Sequence, residues 1–315
     1  MSVAHGQMKR ANHWYFGYQA GIDFSTSIPK SDTSGKMETI EGSCSISDTE
    51  GNLLFYSNGE NVWNKNNFIM PNGKGLFGNQ SSSQSSIIVP TPSNNSIYYL
   101  FTTDANTYST RYSKIDMSLN NGLGDVTSIK NILLYNSGTE ELAGTMHCNA
   151  KDYWVVGRQN SQDTLTFYSY LVNPNGISDS IISKFRIVNS LKNSVGCLAF
   201  SQDGKTLCFS SFGTDIYIFN FNKETGQITF KDYVSHYTNE QVYANAISPD
   251  GKKLYITSWT PYGYSMLSQF DLSASNITAS RLNIDSVDYR NGSPNGYGFI
   301  GQIRLAPDQK IYVCR

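Results

Sequence analysis

Glu41 and His147 carry the side chains with which this 315-residue chain could run acid and base chemistry, or ligate a divalent cation such as calcium with the help of water. Gln84, Glu140, Glu141, Asn149, Gln241, Asn245, Gln302 and Arg304 share a context with them, since each stands beside or early in a short apolar run. The usual catalytic spacings are missing. Only four His occur, one of them His5 near the N-terminus, and there is no His-x-His, His-Glu-x-x-His or paired-Cys spacing for a transition metal. Gly-x-Ser-x-Gly, the nucleophile elbow, is absent too, and Gly122-Leu123-Gly124-Asp125 lacks the following helix that a phosphate cradle needs. A different chemistry is offered by Trp259-Thr260-Pro261-Tyr262-Gly263-Tyr264, whose rings could stack on sugars or anchor a protein.

The elements that hold these residues are legible as a repeat. Ser201-Gln202-Asp203-Gly204-Lys205-Thr206-Leu207 and Ser248-Pro249-Asp250-Gly251-Lys252-Lys253-Leu254 are near-copies of one hairpin, with Asp-Gly turns between alternating apolar runs. Weaker copies centre on Ser47-Asp48, Pro92-Ser93-Asn94, Asn149-Ala150-Lys151-Asp152 and Ala306-Pro307-Asp308-Gln309. Six hairpins at intervals of roughly 40 to 60 residues predict an all-β propeller of four-stranded antiparallel blades. The expected strands include Cys44–Ser47, Leu53–Ser57 and Asn61–Asn64, followed by a loop-rich remainder through Met70-Pro71-Asn72-Gly73.

Both ends look like partial blades. His13 to Phe24 matches the pattern of second and third strands, and Phe299 to Cys314 that of a first and second. Pooling them gives six blades, whereas completing the N-terminal set with sequence beyond Arg315 gives seven, so six to seven are expected. Residues 1–10 read as a tail or leader remnant and 11–315 as one propeller domain, truncated at its C-terminus.

Composition narrows the partners. The chain is 39% apolar and 13% aromatic, with 21 Tyr and 16 Phe, which is β-rich and globular. Lys plus Arg (24) nearly balances Asp plus Glu (25), with no basic stripe, which argues against nucleic acid or an anionic membrane surface as a partner. No run reaches the apolar length of a membrane span. Five Cys, an odd count, do not suggest a disulfide framework, and mostly buried thiols are expected. An Asp-Gly loop sets Cys208 opposite Ala199, with Cys197 a diagonal neighbour.

Asn12-His13-Trp14-Tyr15-Phe16-Gly17, Glu41-Gly42-Ser43-Cys44-Ser45-Ile46-Ser47-Asp48, Val62-Trp63-Asn64-Lys65-Asn66, Met70-Pro71-Asn72-Gly73, Ser83-Gln84-Ser85-Ser86-Ile87-Ile88-Val89-Pro90 and Arg111-Tyr112-Ser113-Lys114-Ile115-Asp116-Met117 together resemble the N-terminal propeller of large secreted Bacteroidetes proteins. Those proteins are often gliding-motility-associated and carry a type IX secretion sorting domain. The resemblance implies a seven-bladed propeller and a secreted or cell-surface setting.

Two functions follow as expectations. The first is a non-catalytic binding module that engages a protein or glycan, as in adhesion or motility, through Glu41, Gln84, His147, Asn149, Gln241, Gln302, Arg304, Trp259, Tyr262 and Tyr264, without cofactor or metal. The alternative is a propeller enzyme of the lactonase, hydrolase or lyase kind, with Glu41 and His147 in a polar channel and calcium or another divalent cation. The Gly-, Ser- and Asn-rich stretch Asn72 to Ser83 is long enough for a lid or contact surface.

Overall fold

A computed structural model describes residues 9–159, 164–186, 195–212, 215–235, 240–288 and 299–315. The fold is an all-β, six-bladed propeller of four-stranded antiparallel blades. The expected tail at 1–10 lies outside the described residues except for its last two. Near the N-terminus, β1 (His13–Phe16), β2 (Ala20–Asp23) and β3 (Lys30–Ser31) form one sheet. A complete blade follows from β4 (Cys44–Ser47), β5 (Leu53–Ser57), β6 (Asn61–Asn64) and β7 (Ile69–Lys74). The next has β8 (Ser86–Thr91), β9 (Asn94–Asp104) and β10 (Ser109–Asp116), with β11 (Asp125–Val126) and β12 (Ile132–Asn136) both pairing with β10.

The third complete sheet joins β13 (Gly138–Met146), β14 (Tyr153–Gln159) and β15 (Thr164–Asn173), and β16 (Gly176–Ile177) and β17 (Ile181–Arg186) share the outer side of β15. Two regular blades come next: β18 (Gly196–Phe200), β19 (Thr206–Ser211), β20 (Ile216–Phe221) and β21 (Ile228–Val234), then β22 (Gln241–Ile247), β23 (Lys253–Trp259), β24 (Tyr264–Asp271) and β25 (Leu282–Asp288). The hairpin β26 (Ile303–Leu305) and β27 (Ile311–Val313) completes the described strands. Six blades replace the seven that the family resemblance implied. The loop expected at Met70 to Gly73 is a strand, because β7 lies at a sheet edge, where Pro71 forfeits no ladder donor.

The repeated turns close as one device. Gly204 and Gly251 both sit at φ +72°, where a side chain would be strained, and Gln309 takes the same left-handed place in the last hairpin at φ +66°. In the first Asp-Gly turn the Ser201 hydroxyl donates to Asp203 Oδ1 (2.6 Å), the Lys205 amide donates to the same oxygen (3.0 Å) and the Thr206 amide to Ser201 Oγ (3.0 Å). Ser248 and Asp250 repeat the pattern at 2.6, 3.1 and 2.9 Å. That register puts Cys208 opposite Ala199, as the loop length required.

The chain divides into two compact units, one of Met1–Gln159 and Tyr168–Ile181, the other of Asn160–Phe167 and Ile182–Arg315. In the first, Ile46, Phe55, Val62, Met70, Leu100 and Ile115 belong to one buried cluster built by alternate residues of neighbouring sheets. In the second, Cys208, Ile216, Ile218, Val242, Ile256 and Phe270 do the same. None of the five cysteines is in a disulfide among the described residues. Cys197 and Cys208 are buried, and burial pushes the Cys208 thiol up to about 12, but Cys148 and Cys314 are exposed, against the expectation of mostly buried thiols. No helix among the described residues is long and apolar enough to cross a membrane.

The turn carboxylates make stability pH-dependent. Partial burial works to raise the Asp203 carboxyl, but the Ser201 hydroxyl, the Lys205 amide and nearby lysine charges outweigh it and hold the carboxyl below its ordinary range. A depressed carboxyl stabilises the fold above its unfolded pKa, and that contribution is lost as pH falls through the lower folded value. Asp203→Ala should therefore lower the urea midpoint at pH 7 by the equivalent of ~1 kcal/mol, and the gap to the parent protein should narrow at pH 3. A gap of the same size at both pH values would show that the ionised carboxylate is not what holds the turn.

Candidate functional site

In the first unit the leading strands β4, β8 and β13 pack in order, β4 on β8 and β8 on β13. Their entry ends carry Glu41, Gln84 and Glu140. Glu41 precedes β4, Gln84 precedes β8, and Glu140 lies near the start of β13. The segment from Asn79 to Ser85 threads between them, and the amides of residues 79 to 84 each find an acceptor. The Glu41 amide donates to the Gln80 carbonyl (3.0 Å) and the Gly42 amide to that of Ser82 (3.0 Å). From the other side, the Ser83 amide donates to Glu140 Oε2 at 2.9 Å, and the Gln84 amide to the Glu140 carbonyl at 3.2 Å. Glu60 Oε1 accepts the Gln80 amide (3.0 Å), and the Ser82 hydroxyl oxygen accepts the Ala105 amide (3.1 Å).

Of the stretch expected as a lid, Asn72 to Lys74 belong to β7 and Asn79 to Ser83 to this connector, in which Ser82, Ser83 and Ser85 are buried. Small residues are needed because the backbones meet closely. Glu140 is 4% exposed and Glu141 fully buried, whereas Glu41 and Gln84 are half-buried at the entry. Glu141 forms an ion pair with Arg158 at 3.0 Å, both side chains fully buried. Burying two charges is costly unless they meet, and here Arg158 Nη2 donates to Glu141 Oε1 from the adjacent strand.

The other expected residues fall elsewhere. His147 follows the last residue of β13, so the structure does not bring it to the entry end with Glu41. Its place is the hairpin turn: its amide donates to the Asp152 carbonyl (2.8 Å), its Nδ1 accepts the Asn149 amide (3.1 Å), and its ring tilts against Trp154 at 5.9 Å. Asn149 closes the same turn, with Oδ1 accepting the Lys151 and Asp152 amides, both at 3.0 Å. The acid and base pairing of Glu41 with His147 is not formed, because a strand separates the ends at which such residues sit.

In the second unit, Gln241 opens β22 and is exposed, paired with Trp259 across the ladder. Trp259 is an aromatic-core residue: its indole N–H donates to the Ile300 carbonyl at 3.1 Å, and its ring stacks on Tyr243 at 5.1 Å and packs on Phe212 and Phe299. Tyr262 and Tyr264 are exposed on the tight turn that Gly263 closes at φ +89°. Gln302 is half-buried beside β26, its carbonyl accepting the Cys314 amide (2.9 Å), and Arg304 is exposed within that strand. Sequence reasoning overlooked Glu60 and Arg158. Arg158 had a signal, being a cation at the end of the apolar run Tyr153 to Gly157.

Among the described residues no three His, Cys, Asp or Glu side chains converge where they could hold a metal ion.

The connector's tightness is testable at Gly42. A Cβ there would lie 2.1 Å from the Ser85 amide nitrogen and 2.5 Å from the Ser82 carbonyl oxygen, neither able to swing away. Gly42→Ala should cost roughly 1 to 3 kcal/mol, read as a lower urea midpoint at unchanged slope. A midpoint equal to the parent's would mean that the connector does not pack as described.

No protein-family model matches the chain, and no curated protein matches it. Solved structures do. A protein from Bacteroides uniformis assigned as a 6-phosphogluconolactonase aligns at TM-score 0.50 and 14% identity, over 82% of this chain and 70% of that one. A protein from Lactobacillus plantarum aligns at TM-score 0.53 and 15% identity, over 93% and 83%. The periplasmic gluconolactonase of Pseudomonas aeruginosa aligns at TM-score 0.48 and 13% identity, over 82% and 72%. At such identities the likeness establishes the propeller fold. Against the expectation of a non-catalytic binding module, the Bacteroides uniformis protein of this fold bears an enzyme's name. Nothing among them points to gliding motility or type IX secretion.

Proposed function

We propose that this chain is a propeller hydrolase that opens a sugar-acid lactone at the entry ends of β4, β8 and β13. The observation that carries the reading is the convergence of Glu41, Gln84 and Glu140 through one hydrogen-bonded connector. Names of similar folds supply the substrate class, and the residues supply roles. Glu140 and Glu141 are buried, one on the Ser83 amide and the other on Arg158. Glu41 is the half-buried carboxylate of the set and takes the part of general base. It draws a proton from a water as that water attacks the lactone carbonyl. The acyl C–O bond of the ring breaks, and the proton passes to the departing alkoxide, leaving a hydroxy acid. The Gln84 amide, which can both donate and accept, orients the sugar hydroxyls.

Hydrolysis of glucono-δ-lactone and its 6-phosphate, followed by proton release in weak buffer, tests this reading. Turnover well above spontaneous hydrolysis is expected, with Glu41→Gln lowering kcat/KM by about 10²-fold or more at unchanged thermal stability. No acceleration with either lactone would overturn it. A secreted or cell-surface setting rests on the family resemblance alone, and fractionation of the source cells would test it.

A further inference from the structure

The start of β13 breaks the ladder it belongs to. Gly138 pairs with Gln159 and Leu142 with Gly157, so Thr139, Glu140 and Glu141 together face the single residue Arg158. Such a bulge re-aims side chains that regular alternation would send to opposite faces, and bulges favour the neighbourhood of functional sites. Here both carboxylates are buried. A bulge of this size has no ladder of its own to fix its register. Arg158 supplies two fixings: its carbonyl accepts the Thr139 hydroxyl (3.1 Å), and its Nη2 donates to Glu141 Oε1 (3.0 Å). Between those points stands Glu140, with Oε2 on the Ser83 amide (2.9 Å) and its carbonyl accepting the Gln84 amide (3.2 Å) and the Thr103 hydroxyl (3.4 Å).

The surroundings leave the bulge one seat. A Cβ on Gly157 would stand 2.1 Å from the Tyr135 hydroxyl, and one on Gly138 would stand 2.8 Å from Thr110 Oγ1, so both glycines are required for β12 and β10 to close over it. Burial pushes the Tyr135 phenol well above its ordinary range, which keeps it neutral beside the pair.

We propose that Arg158 is a positioning residue. By gripping Thr139 and Glu141 from the one position opposite the bulge, it sets the register at which Glu140 holds the Ser83 and Gln84 amides, and through them the seat of Gln84 beside Glu41. Its consequence for turnover rests on the lactone-hydrolase reading, but its consequence for the connector does not.

Hydrogen exchange by mass spectrometry on the full chain separates the two. In Arg158→Met the peptide covering residues 79–86 should exchange at least about tenfold faster, while the strand Ile216–Phe221 keeps its protection. Arg158→Lys, which retains one donor, should recover most of it. The double variant Arg158→Met with Glu141→Leu removes both charges and so leaves no buried unpaired carboxylate to oppose folding. It should still lose protection over 79–86, since only the Thr139 hydroxyl on the main-chain carbonyl of residue 158 is left to hold the bulge. If the parent protein hydrolyses lactones, the same variants should lower kcat by about tenfold or more with KM changed less. Protection over 79–86 unchanged in the double variant would overturn the proposal, whatever the activity. Loss of protection in a protein that never turned over a lactone would uphold the positioning role and count only against the hydrolase.

Discussion

A carboxylate taken out of water must be met by donors, and Glu140 is met by the backbone of a neighbouring sheet. The Ser83 amide on its Oε2 and the Gln84 amide on its carbonyl fix the connector into β8 relative to the start of β13. The buried serines follow from that contact, because larger residues would not let the connector lie between the carbonyls it must reach. Glu41 and Gly42 close it from the β4 side. The entry ends of three leading strands are thus bound through main-chain groups, which lose little entropy on ordering compared with long side chains.

The opposite ends of the strands are built for a different task. There Asp48, Asp203 and Asp250 each gather backbone donors, and Ser201 and Ser248 add hydroxyls to the last two, so the hairpins are rigid and short. His147 and Asn149 belong with them. A propeller blade so divided keeps its punctuation at one end and its adaptable polar groups at the other. That division is the physical reason to seek chemistry among Glu41, Gln84 and Glu140 and not at the imidazole.

Much of this was legible from residues alone, and the failures have identifiable causes. The bounds of β5 and β6 read directly from Leu53-Leu54-Phe55-Tyr56-Ser57 and the polar turn that follows, because alternation and turn chemistry agree there. Strand β7 was hidden, since Pro71, Asn72 and Gly73 favour loops, and only the sheet edge and the Asp125 carboxylate, which accepts the Asn72 amide at 2.8 Å, make a strand of them. The entry positions of Glu41 and Gln84 were visible as polar residues before apolar runs. What local pattern could not supply was Arg158 opposite a three-residue bulge, or Glu60 capturing the Gln80 amide, because each depends on a register or a contact set by distant chain. His147 was misjudged for the converse reason: it adjoins a leading strand in sequence but follows its end.

The most direct test of the account is a crystal structure of the protein with the δ-lactam analogue of gluconolactone, which resists hydrolysis and keeps the ring carbonyl. The lactam carbonyl should lie beside Glu41 with Gln84 on its hydroxyls, and the connector should stay seated on Glu140. A lactam bound away from these three residues, or an entry end that takes up none at saturating concentration, would contradict it.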